Sequence, residues 1–157
     1  ESIIHCYEPN IEIEKYLEPN SKIANFKYFL EAVGANSGMV KLNIDNNQSV
    51  LSSVSSDKFG KTKQISFEEV LERFEKNKVD IVKMDCEGSE WEILEKVNLW
   101  KSVKFITMEY HLGTDNYDHN RITNALEKIG FQIVSEIENT NDCNYGIAVA
   151  YNKSILI

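Results

Sequence analysis

The chain has 157 residues, of which 42% are hydrophobic and 27% are charged, and its formal net charge at pH 7 is -8. This length suits a single domain, residues 1–157, and no apolar run approaches the ~20 residues that a membrane span requires. The negative charge argues against a nucleic-acid partner, because affinity for the phosphate backbone comes largely from Lys and Arg. Small or neutral partners fit the composition better.

The cysteines favour a reducing compartment. Cys6, Cys86 and Cys143 are odd in number, far apart and in no C-x-x-C pattern, which argues against a disulfide framework and a zinc site. The start of the chain has no signal-like segment, so the predicted location is the cytoplasm. Cys86 lies between Asp85 and Glu87, where like charge disfavours a thiolate, and it is interpreted as a small half-buried residue.

The first half of the chain alternates strands with one helix. The predicted elements are a strand at Ile3 to Tyr7, a helix at Ile11 to Leu17, a buried strand at Phe26 to Val33 and a half-exposed strand through Val40, Leu42 and Ile44. The polar stretch from Asp45 to Lys63 is rich in Ser and Asn and is predicted to be a loop, and within it Leu51 to Asp57 is a poor strand.

The second half continues the alternation and ends in a hairpin. The predicted elements are strands at Thr62 to Ile65, Val79 to Met84, Val103 to Met108, Phe131 to Ile137 and Tyr145 to Tyr151, and helices at Phe67 to Phe74, after Ser89 and at Ile122 to Ile129. Ser66 with Glu69 and Ser89 with Glu92 have the spacing of capping boxes. The last two strands should pair antiparallel, because residues 138–144 are too few for a crossover helix. The pattern predicts an α/β fold.

Acidic side chains stand at the ends of three predicted strands. Glu8 follows the first strand, Asp85 follows the strand at Val79 to Met84, and Glu109 and His111 follow the strand at Val103 to Met108. Ligands of open α/β sheets bind outside the carboxyl ends of the strands, so this convergence predicts a site. Glu8 could accept the two ribose hydroxyls of a nucleotide-like cofactor or be a surface acid, and His111 could be a general base or an exposed loop residue.

The same acids raise the question of a metal. Asp85, Glu87, Glu109 and His111 offer ligands for a divalent ion, but a carboxylate cluster whose separations are unknown is weak support for one. No metal site is therefore assigned from the sequence.

Gly34 to Gly38, GANSG, resembles a glycine-rich cofactor loop. Such a loop should open a helix, yet the alternation of Val40, Leu42 and Ile44 predicts that a strand follows it. The segment is therefore predicted to be a hairpin turn.

Several segments together resemble the FkbM-type family of S-adenosylmethionine-dependent methyltransferases. The similarity covers nearly the whole chain, through YEPN, AVGANSGMVKLNI, SVLSSVSS, ISFEEVLE, VDIVKMDCEGSEWEIL, ITMEYH and ALEKIGFQIV, and KMDCEGSE is its most specific part. The resemblance implies a class I methyltransferase-like, Rossmann-like sheet, mostly parallel, with a C-terminal antiparallel hairpin.

The resemblance also implies an activity and roles for residues. The family transfers a methyl group from S-adenosylmethionine, typically to a hydroxyl of a sugar or natural product, so a small-molecule or glycan acceptor is expected. By position, Glu8 would hold the cofactor ribose, and Asp85 with Glu87 would lie by the methyl donor or acceptor. Glu109 and His111 would face the acceptor, and Asp85 or His111 would take its proton.

The chain departs from the family at its amino end. The family's first strand and its glycine-rich loop would come before Ile3, so the chain is expected to be a truncated domain that binds the cofactor weakly or not at all. The strands at Ile3 to Tyr7 and Val79 to Met84 would then have unpaired edges. They are expected to pair with each other or, preferably, to recruit a strand from another copy, which is self-association. The alternatives are a non-catalytic partner domain and a dinucleotide-dependent oxidoreductase that uses Gly34 to Gly38.

Overall fold

The computed structural model describes residues 2–44, 52–56, 60–75, 78–112, 120–139 and 145–155. The chain forms two compact units, Glu1–Ser66 and Phe67–Ile157. Both contain parallel and antiparallel strand pairs, so the fold is mixed α/β. The prediction of a single domain over residues 1–157 stays a prediction. Among the described residues, we find no helix with the length and apolar character that crossing a membrane would need.

The first unit contains two sheets and one α-helix. Its elements are β1 (His5–Tyr7), α1 (Glu14–Ala24), β2 (Lys27–Phe29), β3 (Ala32–Gly34), β4 (Gly38–Ile44), β5 (Ser52–Ser56) and β6 (Thr62–Ser66). Strands β1 and β2 form a parallel pair, and the other four form a sheet in the order β3-β6-β4-β5. A 3-10 turn at Ile11–Ile13 precedes α1, so the predicted helix is present and continues to Ala24.

The single strand predicted at Phe26 to Val33 is wrong. The chain forms two short strands there, and they belong to different sheets, because β2 pairs with β1 whereas β3 pairs with β6. Glu31, between them, makes an ion pair with Lys63 of β6, at 2.7 Å from its Nζ. The segment therefore pairs with β1 as far as Phe29 and with β6 from Ala32 onward.

The predicted loop from Asp45 to Lys63 contains a strand, so that part of the prediction is wrong. Strand β5 pairs antiparallel with β4 over five residues, from Val40 opposite Ser56 to Ile44 opposite Ser52. Its Ser-rich sequence has little β propensity, and the edge of β4 supplies the pairing that makes it a strand. Residues 45–51 and 57–59 lie outside the described part of the chain.

Gly34 to Gly38 is not a hairpin turn, since the strands that it joins do not pair with each other. Strand β6 lies between them, parallel to β3 and antiparallel to β4. Hydrogen bonds connect this segment to β6, among them those from Gln64 Nε2 to Asn36 O at 2.8 Å and from Ser66 N to Ser37 Oγ at 3.0 Å. A strand follows it, as predicted, and not the helix that a dinucleotide loop would open.

The second unit contains one four-stranded sheet with short helices. Its elements are α2 (Phe67–Glu72), β7 (Val79–Met84), α3 (Glu90–Leu94), β8 (Val103–His111), α4 (Arg121–Lys128), β9 (Phe131–Asn139) and β10 (Tyr145–Asn152). The strand order is β7-β8-β10-β9, with β7 parallel to β8 and β10 antiparallel to both of its neighbours. The predicted antiparallel hairpin is therefore confirmed, and its last strand inserts beside β8.

The core of this unit is built on aromatic contacts. Trp100, which is fully buried, stacks on Phe67 with ring centroids 4.7 Å apart and meets Phe131 edge-on at 5.9 Å. Asn152 at the end of β10 donates from Nδ2 to the carbonyls of Trp100 and Val103, each at 3.1 Å. These contacts fix the start of β8, which in turn sets where its far end lies.

The sheet of the second unit has one buried and one exposed face. Along β8, Ile106, Met108 and Tyr110 are buried, whereas Phe105 on the opposite face is 43% exposed. Exposed apolar side chains continue on that opposite face in the neighbouring strands, at Ile81, Ile137, Ile147 and Val149. Glu109 and His111 alternate onto the same face.

The two strands expected to have free edges belong to different units. Strand β1 is paired with β2, and β7 is paired with β8. Closure of the strand at Ile3 to Tyr7 against that at Val79 to Met84 stays a prediction. Recruitment of a strand from another copy stays a prediction.

Candidate active site

Two adjacent parallel strands bring the predicted acids of the second unit together. Met84, the last residue of β7, is opposite Met108 of β8. Asp85 follows Met84 directly, and Glu109 follows Met108, so the two carboxylates leave neighbouring strands at the same level. Strand β8 extends to His111, which means that Glu109 and His111 are part of the strand and not of a loop after it.

The turn between β7 and α3 is organised by a buried carboxylate. Glu90 is fully buried, and it accepts hydrogen bonds from Cys86 N at 3.0 Å and Gly88 N at 2.9 Å. Glu87 and Gly88 have φ of 50° and 104°, in the left-handed region that non-glycine residues rarely adopt. The hydrogen bonds to Glu90 hold the turn in this shape and aim the Glu87 side chain at β8.

The capping box predicted from Ser89 and Glu92 is not formed. Ser89 occupies the N-cap position of α3 but makes no side-chain capping hydrogen bond. The neighbouring Glu90 pairs instead with the free backbone N–H groups of the turn, which leaves Ser89 without that role.

His111 is surrounded by three glutamates. Its Nδ1 lies 3.2 Å from Glu90 Oε1, and its Nε2 lies 3.4 Å from Glu87 Oε2 and 3.5 Å from Glu109 Oε1. The backbone is held as well, since Trp91 Nε1 donates to His111 O at 2.6 Å. The imidazole is thus oriented on both nitrogens and cannot rotate without breaking a contact with a carboxylate.

Asp85 completes the group on its exposed side. One oxygen of Asp85, one of Glu109 and one nitrogen of His111 all lie within 4.8 Å of one another. The Asp85 side chain is 39% exposed, and its only ion pair among the described residues is a long one, 3.7 Å from Lys83 Nζ. We call Asp85, Glu87, Glu90, Glu109 and His111 the acid cluster.

Burial and like charge shift proton affinities in the acid cluster. The hydrogen bond to Glu90 raises the pKa of His111, and the charges of Glu87 and Glu109 add to this against an opposing effect of burial. Burial raises the pKa of the Glu87 carboxyl, with the positive charge of His111 opposing it. A raised histidine pKa lowers the share of neutral imidazole near neutral pH, which makes His111 a weaker candidate for a general base.

Cys86 is not a nucleophile in this environment. Burial, followed by the charge of Glu90, raises the pKa of its thiol to about 12. The thiolate that attack would need is therefore nearly absent at neutral pH, in agreement with the structural role expected from the sequence.

Glu8 lies in the first unit, at the end of β1. Its backbone N donates to Phe29 O at 3.0 Å, and its Oε1 accepts from Asn10 N at 2.7 Å. The second carboxylate oxygen has no hydrogen bond to any described residue. Of the five predicted site residues, the structure brings Asp85, Glu87, Glu109 and His111 together, and Glu8 belongs to the other unit.

Glu90 and Trp91 contact His111 but were not predicted as site residues. For Glu90 the sequence does carry a signal, because Ile93 and Leu94 follow it at i+3 and i+4 and place it on the buried face of α3. An acid on an apolar helix face needs a partner, and here the partner is the imidazole. For Trp91 no comparable signal exists, since its bond depends on where β8 ends.

An α/β fold with carboxylates and an imidazole gathered at the ends of adjacent parallel strands is typical of an enzyme. The family model described as the methyltransferase FkbM domain matches residues 3–133, most of the chain, so the chain belongs to that family. No curated protein matches the chain. No solved structure matches it either. Family membership identifies a methyltransferase domain and confirms the resemblance noted in the sequence.

Proposed function

We propose that this protein transfers a methyl group from S-adenosylmethionine to a hydroxyl of a small-molecule or glycan acceptor. The observation that carries the proposal is the match to the methyltransferase FkbM domain over residues 3–133. The acid cluster at the ends of β7 and β8 supports it, because ligands of α/β enzymes bind at this end of the strands. From the net charge we also propose that the protein has no nucleic-acid partner. From the cysteines we propose that it is located in the cytoplasm.

The chemistry of Glu8 fits the ribose of the cofactor. A carboxylate accepts hydrogen bonds only, and Glu8 is oriented by Asn10 N through one oxygen while the other has no bond to a described residue. Two vicinal hydroxyls could therefore donate to it. Glu8 is proposed as the ribose ligand, and Asp85 with Glu87 as residues beside the methyl donor.

The residues of the acid cluster are proposed to orient the acceptor and take its proton. When bound, the cofactor supplies an electrophilic methyl group, so the protein must place the acceptor oxygen in line with it and remove a proton. Glu109 and His111 are proposed to face the acceptor, and the proton goes to Asp85 or His111. Asp85 is the more accessible of the two, with a side chain 39% exposed against 22% for His111.

Calorimetric titration with S-adenosylhomocysteine tests the cofactor assignment. It is carried out on this chain and on a chain extended at its amino end, with Glu8→Ala in each and Glu12→Ala as a matched control, since Glu12 is an exposed acid four residues away. Loss of the Glu8 carboxylate should weaken binding by about 1.5–3 kcal/mol for each hydrogen bond lost to a charged group. Glu12→Ala should leave affinity unchanged.

Two results would contradict the proposal. If neither wild-type chain binds S-adenosylhomocysteine, the assignment of S-adenosylmethionine as the cofactor is refuted. If the wild type and Glu8→Ala bind it with equal affinity, only the assignment of Glu8 as the ribose ligand is refuted.

A further inference from the structure

We propose that Asp85, Glu109 and His111 form a binding site for a divalent metal cation. The sequence left this question open because the separations were unknown, and the structure supplies them. One ligand atom from each residue lies within 4.8 Å of the other two. The inference concerns metal binding itself and does not depend on methyl transfer.

The spacing of the ligand atoms suits a metal. His111 Nε2 and Glu109 Oε1 are 3.5 Å apart. Ligands ~2.1 Å from a common ion are separated by ~3.0 Å at the corner of an octahedron and ~3.4 Å in a tetrahedron. An oxygen of Asp85 lies within 4.8 Å of both atoms, and the side chain is 39% exposed, which leaves it room to turn towards the same ion.

The histidine is held as metal-binding histidines are. A ligating imidazole almost always donates its other N–H to a carboxylate or carbonyl, which fixes the tautomer. Here Nδ1 faces the buried Glu90, whose carboxylate is itself fixed by Cys86 N and Gly88 N. His111 Nε2 lies 3.4 Å from Glu87 Oε2 and 3.5 Å from Glu109 Oε1, and a metal ion bound at this nitrogen would take the place of its proton.

The charges match a divalent ion. Once the metal has replaced the proton on His111 Nε2, the two ligand carboxylates and the neutral imidazole carry two negative charges, which a divalent cation neutralises. In the described part of the chain, the lysine that pairs with one of these ligands is Lys83, which lies 3.7 Å from Asp85 Oδ2 and is 75% exposed, and this pair is too weak to do the same. Two carboxylates with one imidazole suit Mn²⁺, which accepts both oxygen and nitrogen ligands.

Titration of Mn²⁺ into the whole chain, in the absence of cofactor, tests the site. Calorimetry gives the stoichiometry and affinity, and the electron paramagnetic resonance signal of free Mn²⁺ gives an independent count. We expect one Mn²⁺ per chain and, because each residue supplies a ligand atom, a loss of affinity of about tenfold or more in Asp85→Asn and in Glu109→Gln.

Two control variants test whether the loss of any carboxylate, at the site or away from it, weakens Mn²⁺ binding. Asp80→Asn removes a more exposed carboxylate from β7, the strand that Asp85 follows, where Asp80 pairs with Lys104, and Glu92→Gln removes an exposed one from α3. Both should bind Mn²⁺ like the wild type. Absence of saturable binding at millimolar Mn²⁺ would overturn the proposal, as would equal affinities of the wild type and the two ligand variants.

The outcome of the Mn²⁺ titration can be separated from a folding defect in a variant and from failure of the proposed function. Circular dichroism establishes that each variant is folded, and if Glu109→Gln is not, the more exposed Asp85→Asn carries the test alone. Because no cofactor is present, Mn²⁺ binding can succeed where the S-adenosylhomocysteine titration fails, and the reverse result would refute the metal site alone.

Discussion

At the scale of single residues, the candidate site depends on one buried acid. Glu90 is fully buried, and its two oxygens accept from Cys86 N and Gly88 N while one of them also faces His111. It therefore connects the turn after β7 to the end of β8. A carboxylate in this position both shapes the left-handed turn and orients the imidazole.

We predict that Glu90→Ala is strongly destabilising. The substitution leaves the N–H groups of half-buried Cys86 and exposed Gly88 without their acceptor and opens a cavity where the Glu90 carboxylate was buried, and an unpaired buried group costs about 1–3 kcal/mol. The free energy of unfolding, measured in urea, should therefore fall by about 2–4 kcal/mol. Glu92→Ala, an exposed acid on the same helix, is the control and should change it by less than about 0.5 kcal/mol. Similar values for the two variants would show that Glu90 does not hold the turn.

A second prediction at this scale concerns Cys86. Burial raises the pKa of its thiol to about 12 from an ordinary value of 9.0. The thiol is protonated below its pKa, so between pH 7 and 9 the folded protein should be alkylated by iodoacetamide about a thousandfold more slowly at Cys86 than the urea-unfolded chain. Peptide mass spectrometry resolves Cys86 from the other cysteines. Equal rates in the two states would contradict the burial of the thiol.

At the scale of elements, β10 can lie beside β8 because its buried face carries small residues. Gly146, Ala148 and Ala150 occupy that face in alternation. Gly146 is opposite Tyr110, whose ring passes over it so that the hydroxyl donates to Glu136 Oε1 at 2.8 Å. A Cβ at position 146 would overlap the Tyr110 ring.

Gly146→Ala is therefore predicted to destabilise the second unit. Forcing Tyr110 out of its position costs about 1–3 kcal/mol, the usual range for overpacking. The matched control is Gly38→Ala, because a Cβ there meets no atom within 4 Å and the position has no unusual φ. Thermal unfolding should show a lower midpoint for Gly146→Ala alone. A midpoint at or above that of the wild type would mean that the Tyr110 ring can adopt another position without loss of stability.

The elements that could be predicted from sequence are those whose apolar residues recur with a clear period. Alternation identified β4, and helical spacing identified α4, because in both the residue pattern itself decides which face is buried. The Ser-rich β5 and the break between β2 and β3 could not be predicted, since they depend on which strand is adjacent in space. Pairing partners are a property of the whole sheet and leave no period in the local sequence.

The same distinction applies to the site. Asp85, Glu109 and His111 could be predicted to converge because the ends of adjacent parallel strands meet at one edge of a sheet. The contact of Glu90 with His111 could not, since it depends on the left-handed turn at Glu87 and Gly88. Such a turn is a consequence of the hydrogen bonds that Glu90 accepts and cannot be deduced from the glycine alone.

At the scale of the whole molecule, the edge of β7 that is not paired with a described strand bears on the predicted assembly. Among the described residues β7 pairs only with β8, and Ile81 at this edge is 64% exposed. An unpaired strand edge with an exposed apolar residue is a template for pairing with another chain. The partner predicted from the sequence is a second copy of this protein.

We predict that the chain self-associates as its concentration rises. Sedimentation equilibrium should show an average mass above that of the monomer, and Ile81→Lys should shift the equilibrium towards monomer, because a charged side chain on an edge opposes strand addition. Val134→Lys is the control, since Val134 is 65% exposed but lies in β9 at the other side of the sheet. A wild-type chain that stays monomeric at every concentration would refute the prediction.

The bond from Trp91 to the backbone of His111 gives the protein a built-in optical reporter. The sequence contains two tryptophans, and they differ in surroundings, since Trp100 is fully buried whereas Trp91 is half-buried and lies under the guanidinium of Arg121 at 3.8 Å. Trp100 is buried in the core of the second unit, so its emission should change only when that unit unfolds. Trp91 has its indole N–H fixed to the strand that carries His111, so its emission wavelength and quenching follow any rearrangement of that strand end. With Trp100 replaced by Phe, the intrinsic fluorescence of this chain becomes a direct readout of events at the acid cluster.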